Sequence, residues 1–258
     1  MKKTLLILAT LAIAQVSFTQ SDSAFDTGEW FKFKISYSGW MKAGEATLKV
    51  SDDVIDGKSV YHVVGKGKTT GAIRWFFKVK DRYESYFDKQ KLIPYKFVRN
   101  IDEGGHTKNL EIEFDQLNNK ALINNIKHNK KKVIETVPNV QDMVSTFYYL
   151  RNNLDVKTLK IGDEVRTDMF FDEENYGFKI KYLGEEIIKT KFGKIRCLKF
   201  RPYVMAGRVF KEEESLTLWV SADKNRIPLR IKADLSVGSL RADLDAFRGL
   251  IHQFEVQF

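Results

Sequence analysis

The chain has 258 residues, of which 43% are hydrophobic, 30% charged and 13% aromatic, with a formal net charge of +9. Four prolines and no low-complexity tract exclude long disordered linkers, and the length allows one large β domain or two small ones. The basic excess is interleaved with acids rather than gathered into an arm, so no nucleic-acid partner is expected; it reads as a lysine-rich solvated surface or as attraction to anionic lipid or polysaccharide in the envelope.

Residues 1–19 have the three-part layout of a secretory signal peptide. Lys2 and Lys3 supply a positive start, residues 5–14 form an uncharged apolar run, and Ser17 and Thr19 are small residues before Gln20. The apolar run is about half of the roughly 20 residues that span a bilayer, so cleavage is expected rather than a retained helix. Cys197 is the one cysteine, which excludes an intrachain disulfide and leaves no cysteine for lipidation at the start of the mature chain. The expectation is a chain released into the periplasm, or beyond the cell, with no transmembrane helix and no lipid anchor.

The mature chain reads as strand after strand. In residues 30–37, Phe31, Phe33, Ile35 and Tyr37 alternate with Trp30, Lys32 and Lys34, which predicts a half-buried strand. Residues 44–51 repeat the pattern with Ala46, Leu48 and Val50. Asp56–Gly57 predicts a hairpin turn, because glycine takes positive φ readily, and residues 59–65 return from it. Gly65, Gly67 and Gly71 read as a flexible turn. Residues 74–87 are aromatic-rich. Within 70–78, Trp75, Phe76 and Phe77 are framed by Arg74 and Lys78; this is either a loop that touches a bilayer or caps a lipid cavity, or a half-buried strand from Ile73. Strands at 94–101, 107–114 and 120–125 follow, with turns at 103–105 and Asn118–Asn119. The turn spacing is that of an all-β sandwich or barrel.

Residues 139–153 break the period. Val140, Met143, Val144, Phe147, Leu150 and Arg151 fall at helical spacing, with Asn139 as the cap and Gln141 and Asp142 at the positive end of the dipole. Strands resume at 164–171, 176–183, 185–190, 195–202, 214–220, 227–235 and 238–246, with a last one at 253–258. Alternation puts Cys197 on the charged face of its strand, as a paired, half-buried thiol. The expected fold is mainly β: a large curved antiparallel sheet or incomplete barrel, one domain over 20–258, with the helix packed on its concave face between two β halves.

Chemical motifs are weak. Gly57–Lys58–Ser59 and Gly67–Lys68–Thr69 imitate the end of a phosphate loop, but Asp52 and His62 stand where its first glycine belongs. The four histidines are scattered, without metal-ligand spacing, and no nucleophile elbow appears. The acidic runs 172–174 and 212–214 read as solvated loop charge. No cofactor and no catalytic residue is expected.

Several stretches together carry a family resemblance. They include 28–33 (GEWFKF), 43–46 (AGEA), 79–86 (VKDRYESY), Ile93–Pro94, 141–151 (QDMVSTFYYLR), 218–223 (LWVSAD), 226–228 (RIP) and 237–240 (VGSL). The combination resembles the bacterial domain-of-unknown-function family numbered 3108 over most of residues 28–246. The resemblance implies an exported, envelope-associated, mainly β protein and brings no activity. Trp219, a turn with Asp223, and Ile227–Pro228–Leu229–Arg230 are similar to a stretch of the periplasmic lipoprotein-carrier fold, an incomplete barrel that holds acyl chains under plugging helices.

These readings combine into an exported binding protein for an apolar, lipid-like ligand held under the helix. The candidate lining is Phe31, Phe33, Trp75, Phe77, Met143, Phe147 and Trp219, each of which also suits plain core packing. The alternatives are an interaction module that docks to another envelope protein, and a hydrolase of envelope polymers with carboxylates converging in a cleft.

Overall fold

The computed structural model describes residues 23–203, 215–235 and 237–257. The predicted signal peptide, the acidic run at 212–214 and Phe258 lie outside them. The alternating segments form fourteen strands. The first half of the chain gives β1 (Trp30–Tyr37), β2 (Met41–Ile55), β3 (Lys58–Thr69), β4 (Val79–Asp88), β5 (Pro94–Glu103), β6 (His106–Asp115), β7 (Lys120–Asn125) and β8 (Lys130–Glu135). A helical turn, α1 (Ile73–Phe76), joins β3 to β4. After helix α2 (Met143–Asn153), the second half gives β9 (Glu164–Phe171), β10 (Glu174–Thr190), β11 (Gly193–Pro202), β12 (Leu216–Ser221), β13 (Pro228–Asp234) and β14 (Ser239–Arg248).

All fourteen belong to one antiparallel sheet, in the order β8-β7-β6-β5-β4-β3-β2-β1-β14-β13-β12-β11-β10-β9. Each half is a meander of consecutive hairpins, and the halves join where β1 pairs with β14. The sheet is not closed; β8 and β9 are its edges. Its roll still brings those edges within side-chain reach. Asn175 Nδ2 donates to the Glu135 carbonyl at 3.0 Å, and Lys132 meets Glu173 at 3.4 Å. Gln141 lies along β9, donating its N–H to the Asp168 carbonyl (2.9 Å) and accepting from Phe170 N–H (2.7 Å). The result is an incomplete barrel with α2 inside it.

Local chemistry explains the joints. Asp56 and Gly57 have φ of +49° and +74°, the pair of positive values that a two-residue hairpin requires. The helix starts at Met143, later than the predicted Asn139, because Asp142 is the better cap. Its carboxylate accepts from Val144 N–H (2.7 Å) and Ser145 N–H (2.8 Å), while the Ser145 hydroxyl accepts from Asp142 N–H (2.9 Å). Asn139 instead takes φ of +57°, and Gln141 is used for pairing with β9. Gly65 and Gly67 are not a turn; they lie inside β3, paired with Leu48 and Ala46 of β2 and with Tyr83 and Asp81 of β4. The 73–76 segment is helical rather than a strand. Cys197 is fully buried, so the charged-face expectation fails: the opposite face of its strand also packs, through Leu198 and Phe200.

Buried side chains form three clusters. One fills the first half around Phe25, Tyr61, Phe87, Phe97, Ile112 and Tyr148. A second joins Phe31, Phe33, Cys197, Trp219, Ile227 and Leu244, with Phe192, Phe247 and Phe254 against it. The third, smaller, lies in the second half around Ile180, Tyr182, Leu198, Phe200 and Val220.

Candidate functional site

Helix α2 divides the interior. Val144, Tyr148 and Arg151 form one stripe along it, and Met143, Phe147, Leu150 and Leu154 (its C-cap) form an adjacent one, both spaced by successive turns. The first stripe is packed tight: the Tyr148 ring lies 4.5 Å from Phe25 and 5.7 Å from Phe87, centroid to centroid. The second stripe borders a cavity of about 770 Å³, within the range of small-molecule pockets.

The second half of the sheet supplies the rest of the wall. Cross-strand pairing puts Leu198 beside Val220, Phe200 beside Leu218, and Leu218 beside Ile231. Residues opposite each other in a ladder share a face, and this row faces the cavity. Met169, Phe171, Phe178 and Ile180 of β9 and β10 complete an almost wholly apolar lining.

Polar groups sit at the two ends. At one end, Glu103, Pro202 and Leu216 are terminal residues of their strands, and exposed Asp172 opens this mouth to solvent. Arg99 pairs with Asp172 and lays its guanidinium 4.9 Å from the Phe171 ring centroid; Lys108 Nζ reaches the same carboxylate at 2.6 Å. Burial pulls the Asp172 carboxyl up, but Lys108 and Arg99 together outweigh it and hold it below its ordinary value. Asp81 shares this face of the sheet through β4 and β5. Burial first, then repulsion from Glu103, pushes it up to about 6. Burial likewise raises the Tyr83 hydroxyl to about 12.

At the other end lies Arg151, 4% exposed, against Glu29, 1% exposed. The pair is bidentate, with Nη1–Oε1 at 2.7 Å and Nη2–Oε2 at 2.8 Å. Nη2 also donates to the carbonyls of Asn225 (2.8 Å) and Ala24 (3.2 Å). The rings of Phe25, Phe31, Phe147 and Tyr148 all lie within 5.6 Å of this guanidinium. Arg226 adds a 2.6 Å bond from Nη1 to the Arg151 carbonyl. One charged side chain thus ties α2 to the N-terminal segment, to Glu29 beside β1, and to the turn before β13.

The seven residues predicted from sequence are not brought together. Met143 and Phe147 line the cavity. Phe31, Phe33 and Trp219 lie in the second packed cluster instead. Trp219 stands between Leu218 and Val220, so alternation turns it away from the cavity; its indole N–H donates to Glu186 at 3.1 Å and Lys199 lies 5.3 Å over its ring. Trp75 and Phe77 are exposed, on and just after α1. The sequence reading missed Leu216, Leu218 and Leu198 with Phe200. Their period-two spacing was a signal, overshadowed by the larger indole between them.

Other reactive groups lie elsewhere. The Cys197 thiol is fully buried and pushed up to about 12 by burial, so it is a packing residue. His62 bonds Glu84 at 2.8 Å and stacks on Tyr86 with centroids 4.0 Å apart. Among the described residues no group of three or more His, Cys, Asp and Glu side chains is placed to hold a metal. No helix among them is long and apolar enough to cross a membrane.

Comparison with known proteins agrees with this architecture. A β-barrel-like protein of the domain-of-unknown-function family DUF1849 from Brucella abortus superposes with a TM-score of 0.53. The match covers 85% of this chain and 96% of that one at 8% identity, and shows a shared fold. A candidate exported protein with a YmcC-like fold from Bacteroides fragilis gives a TM-score of 0.37 at 9% identity, over 87% of this chain and 97% of its own. For a candidate lipoprotein from Parabacteroides distasonis the TM-score is 0.35 at 11% identity, over 88% and 98% of the two chains. No curated protein matches the sequence. The profile described as "Protein of unknown function (DUF3108)" matches residues 32–245, most of the chain, and the protein belongs to that family.

Proposed function

We propose that this protein is an exported, non-catalytic binding protein of the cell envelope that holds an apolar, lipid-like ligand beneath α2. The observation that carries the reading is the 770 Å³ cavity, walled by one helical stripe and by aligned apolar rows of β9–β13. An acyl chain entering it leaves water at a gain of about 0.8 kcal/mol per methylene. Export rests on the layout of residues 1–19.

The test is lipid extraction and mass spectrometry of the mature protein purified without detergent, compared with Leu218→Trp, which fills the cavity. Co-purifying acyl lipid in the parent and its loss in the variant is the expected result. Protein that carries no lipid and binds no apolar dye overturns the reading.

A further inference from the structure

All the exposed tryptophan and phenylalanine residues among those described lie at one end of the sheet. They are Trp40 (79% exposed), Trp75 (89%), Phe76 (88%) and Phe77 (52%). Trp40 is in the β1–β2 turn, and the other three are in or beside α1, between β3 and β4. Thr70 N–H donates to the Ala43 carbonyl at 3.0 Å, which holds these connections side by side. Val237, 77% exposed, joins from the β13–β14 turn, where its carbonyl accepts from the Tyr37 hydroxyl at 3.0 Å.

The same turns carry one sign of charge. Residues 38–42 and 70–80 contain Lys42, Arg74, Lys78 and Lys80 and no Asp or Glu. All four are exposed, and none is within ion-pair distance of an acid among the described residues. The opposite end of the sheet is mixed in sign: Asp52, Asp53 and Asp56 around the β2–β3 hairpin and Asp115 at the end of β6 sit with Lys58, Lys89, Lys91 and Lys120, and Lys89 pairs with Asp52. Exposed aromatic rings framed by unpaired cations, at several turns of one edge, suit the interfacial layer of an anionic bilayer.

We propose that this edge is a docking surface for a bilayer containing anionic phospholipid, with the rings of Trp40, Trp75 and Phe76 in the headgroup layer and the four cations on its phosphates. The edge adjoins the cavity mouth. Gly104 follows Glu103 of the mouth, its N–H donates to the Lys78 carbonyl at 2.8 Å, and a Cβ built on it would lie 2.5 Å from the Phe77 ring. A docked molecule therefore turns its mouth toward the lipid. Docking itself stands without a ligand; the entry of an acyl chain from the docked state rests on the binding reading above.

Co-sedimentation with phosphatidylethanolamine–phosphatidylglycerol vesicles, against phosphatidylcholine vesicles, tests it. The mature protein is expected to bind the anionic vesicles, more weakly as salt rises. Trp75→Ala with Phe76→Ala, and separately Arg74→Glu with Lys78→Glu, should each weaken binding by about tenfold or more while leaving thermal unfolding unchanged. Bromolipid should quench tryptophan fluorescence in the parent and fail to do so in Trp40→Phe with Trp75→Phe. Leu218→Trp should bind vesicles like the parent, which separates docking from cavity filling. No vesicle binding, equal binding by the charge-reversed variant, or capture of a soluble protein by these residues without vesicle binding overturns the proposal.

Discussion

The two sides of α2 are built from similar residues and end in opposite states. On the first side, Phe25, Tyr61, Phe87 and Tyr148 interlock in tilted and edge contacts 4.5–6.4 Å apart. On the second, the helix offers Met143, Phe147 and Leu150 to an equally apolar sheet, and 770 Å³ remains. The difference comes from an added layer. Residues 23–29 bring Phe25 between α2 and the first half of the sheet, whereas among the described residues no comparable segment packs between α2 and β11–β13. An apolar wall left unfilled inside a folded chain forfeits dispersion contacts that a ligand can restore.

Substitutions can break that contrast. The largest effect belongs on the packed side: Phe87→Ala should lower unfolding free energy by about 4 kcal/mol in urea titration, the scale of a buried aromatic deletion. Next is Glu29→Gln, which leaves the Arg151 guanidinium buried without its counter-charge and should cost about 3 kcal/mol. On the open side, Leu218→Ala enlarges a space already present and should cost less than about 1 kcal/mol, while changing retention of an apolar dye.

Acid-base behaviour sharpens the comparison. Asp142, at the α2 cap on the packed side, is pushed up to about 6 by burial, against the opposing bonds from Ser85 and from the Val144 and Ser145 amides. A carboxyl whose folded value lies above its unfolded value favours the fold most below about pH 4, and that contribution is lost as pH rises to about 6. Asp81, near the mouth, titrates in the same window. Asp142→Asn keeps an N-cap and should flatten the fall in stability between pH 4 and 6.5, measured by urea unfolding; Asp81→Asn should flatten the remainder. The smallest effect is at Cys197: a thiol reagent should modify it no faster than the protein unfolds.

Much of this fold was legible in the sequence. Period-two alternation marks β1 and β2, Asp56–Gly57 turns the chain as its residue types demand, and one helix interrupts the strands. Its start was misread because two acceptable caps lie three residues apart, and only the fold shows that Gln141 is engaged by β9. The cavity was half legible. The stripe through Met143 and Phe147 follows from helical spacing. The sheet wall does not, because β11 and β12 are apolar on both faces: Leu198 and Phe200 face the cavity while Cys197 and Trp219 face another core. Which face is concave depends on the roll of the whole sheet, and no local pattern encodes that.

The seam between β1 and β14 sets the order of assembly. Ser36 and Arg241, bonded across it, are 205 residues apart in the chain. Each meander can form hairpin by hairpin as it emerges, but the strand that unites them comes near the C-terminus. The first half must therefore wait with β1 as an open edge, able to pair with any passing strand. Closing so long a loop is slow, and during that interval the protein is most exposed to mispairing with its own copies.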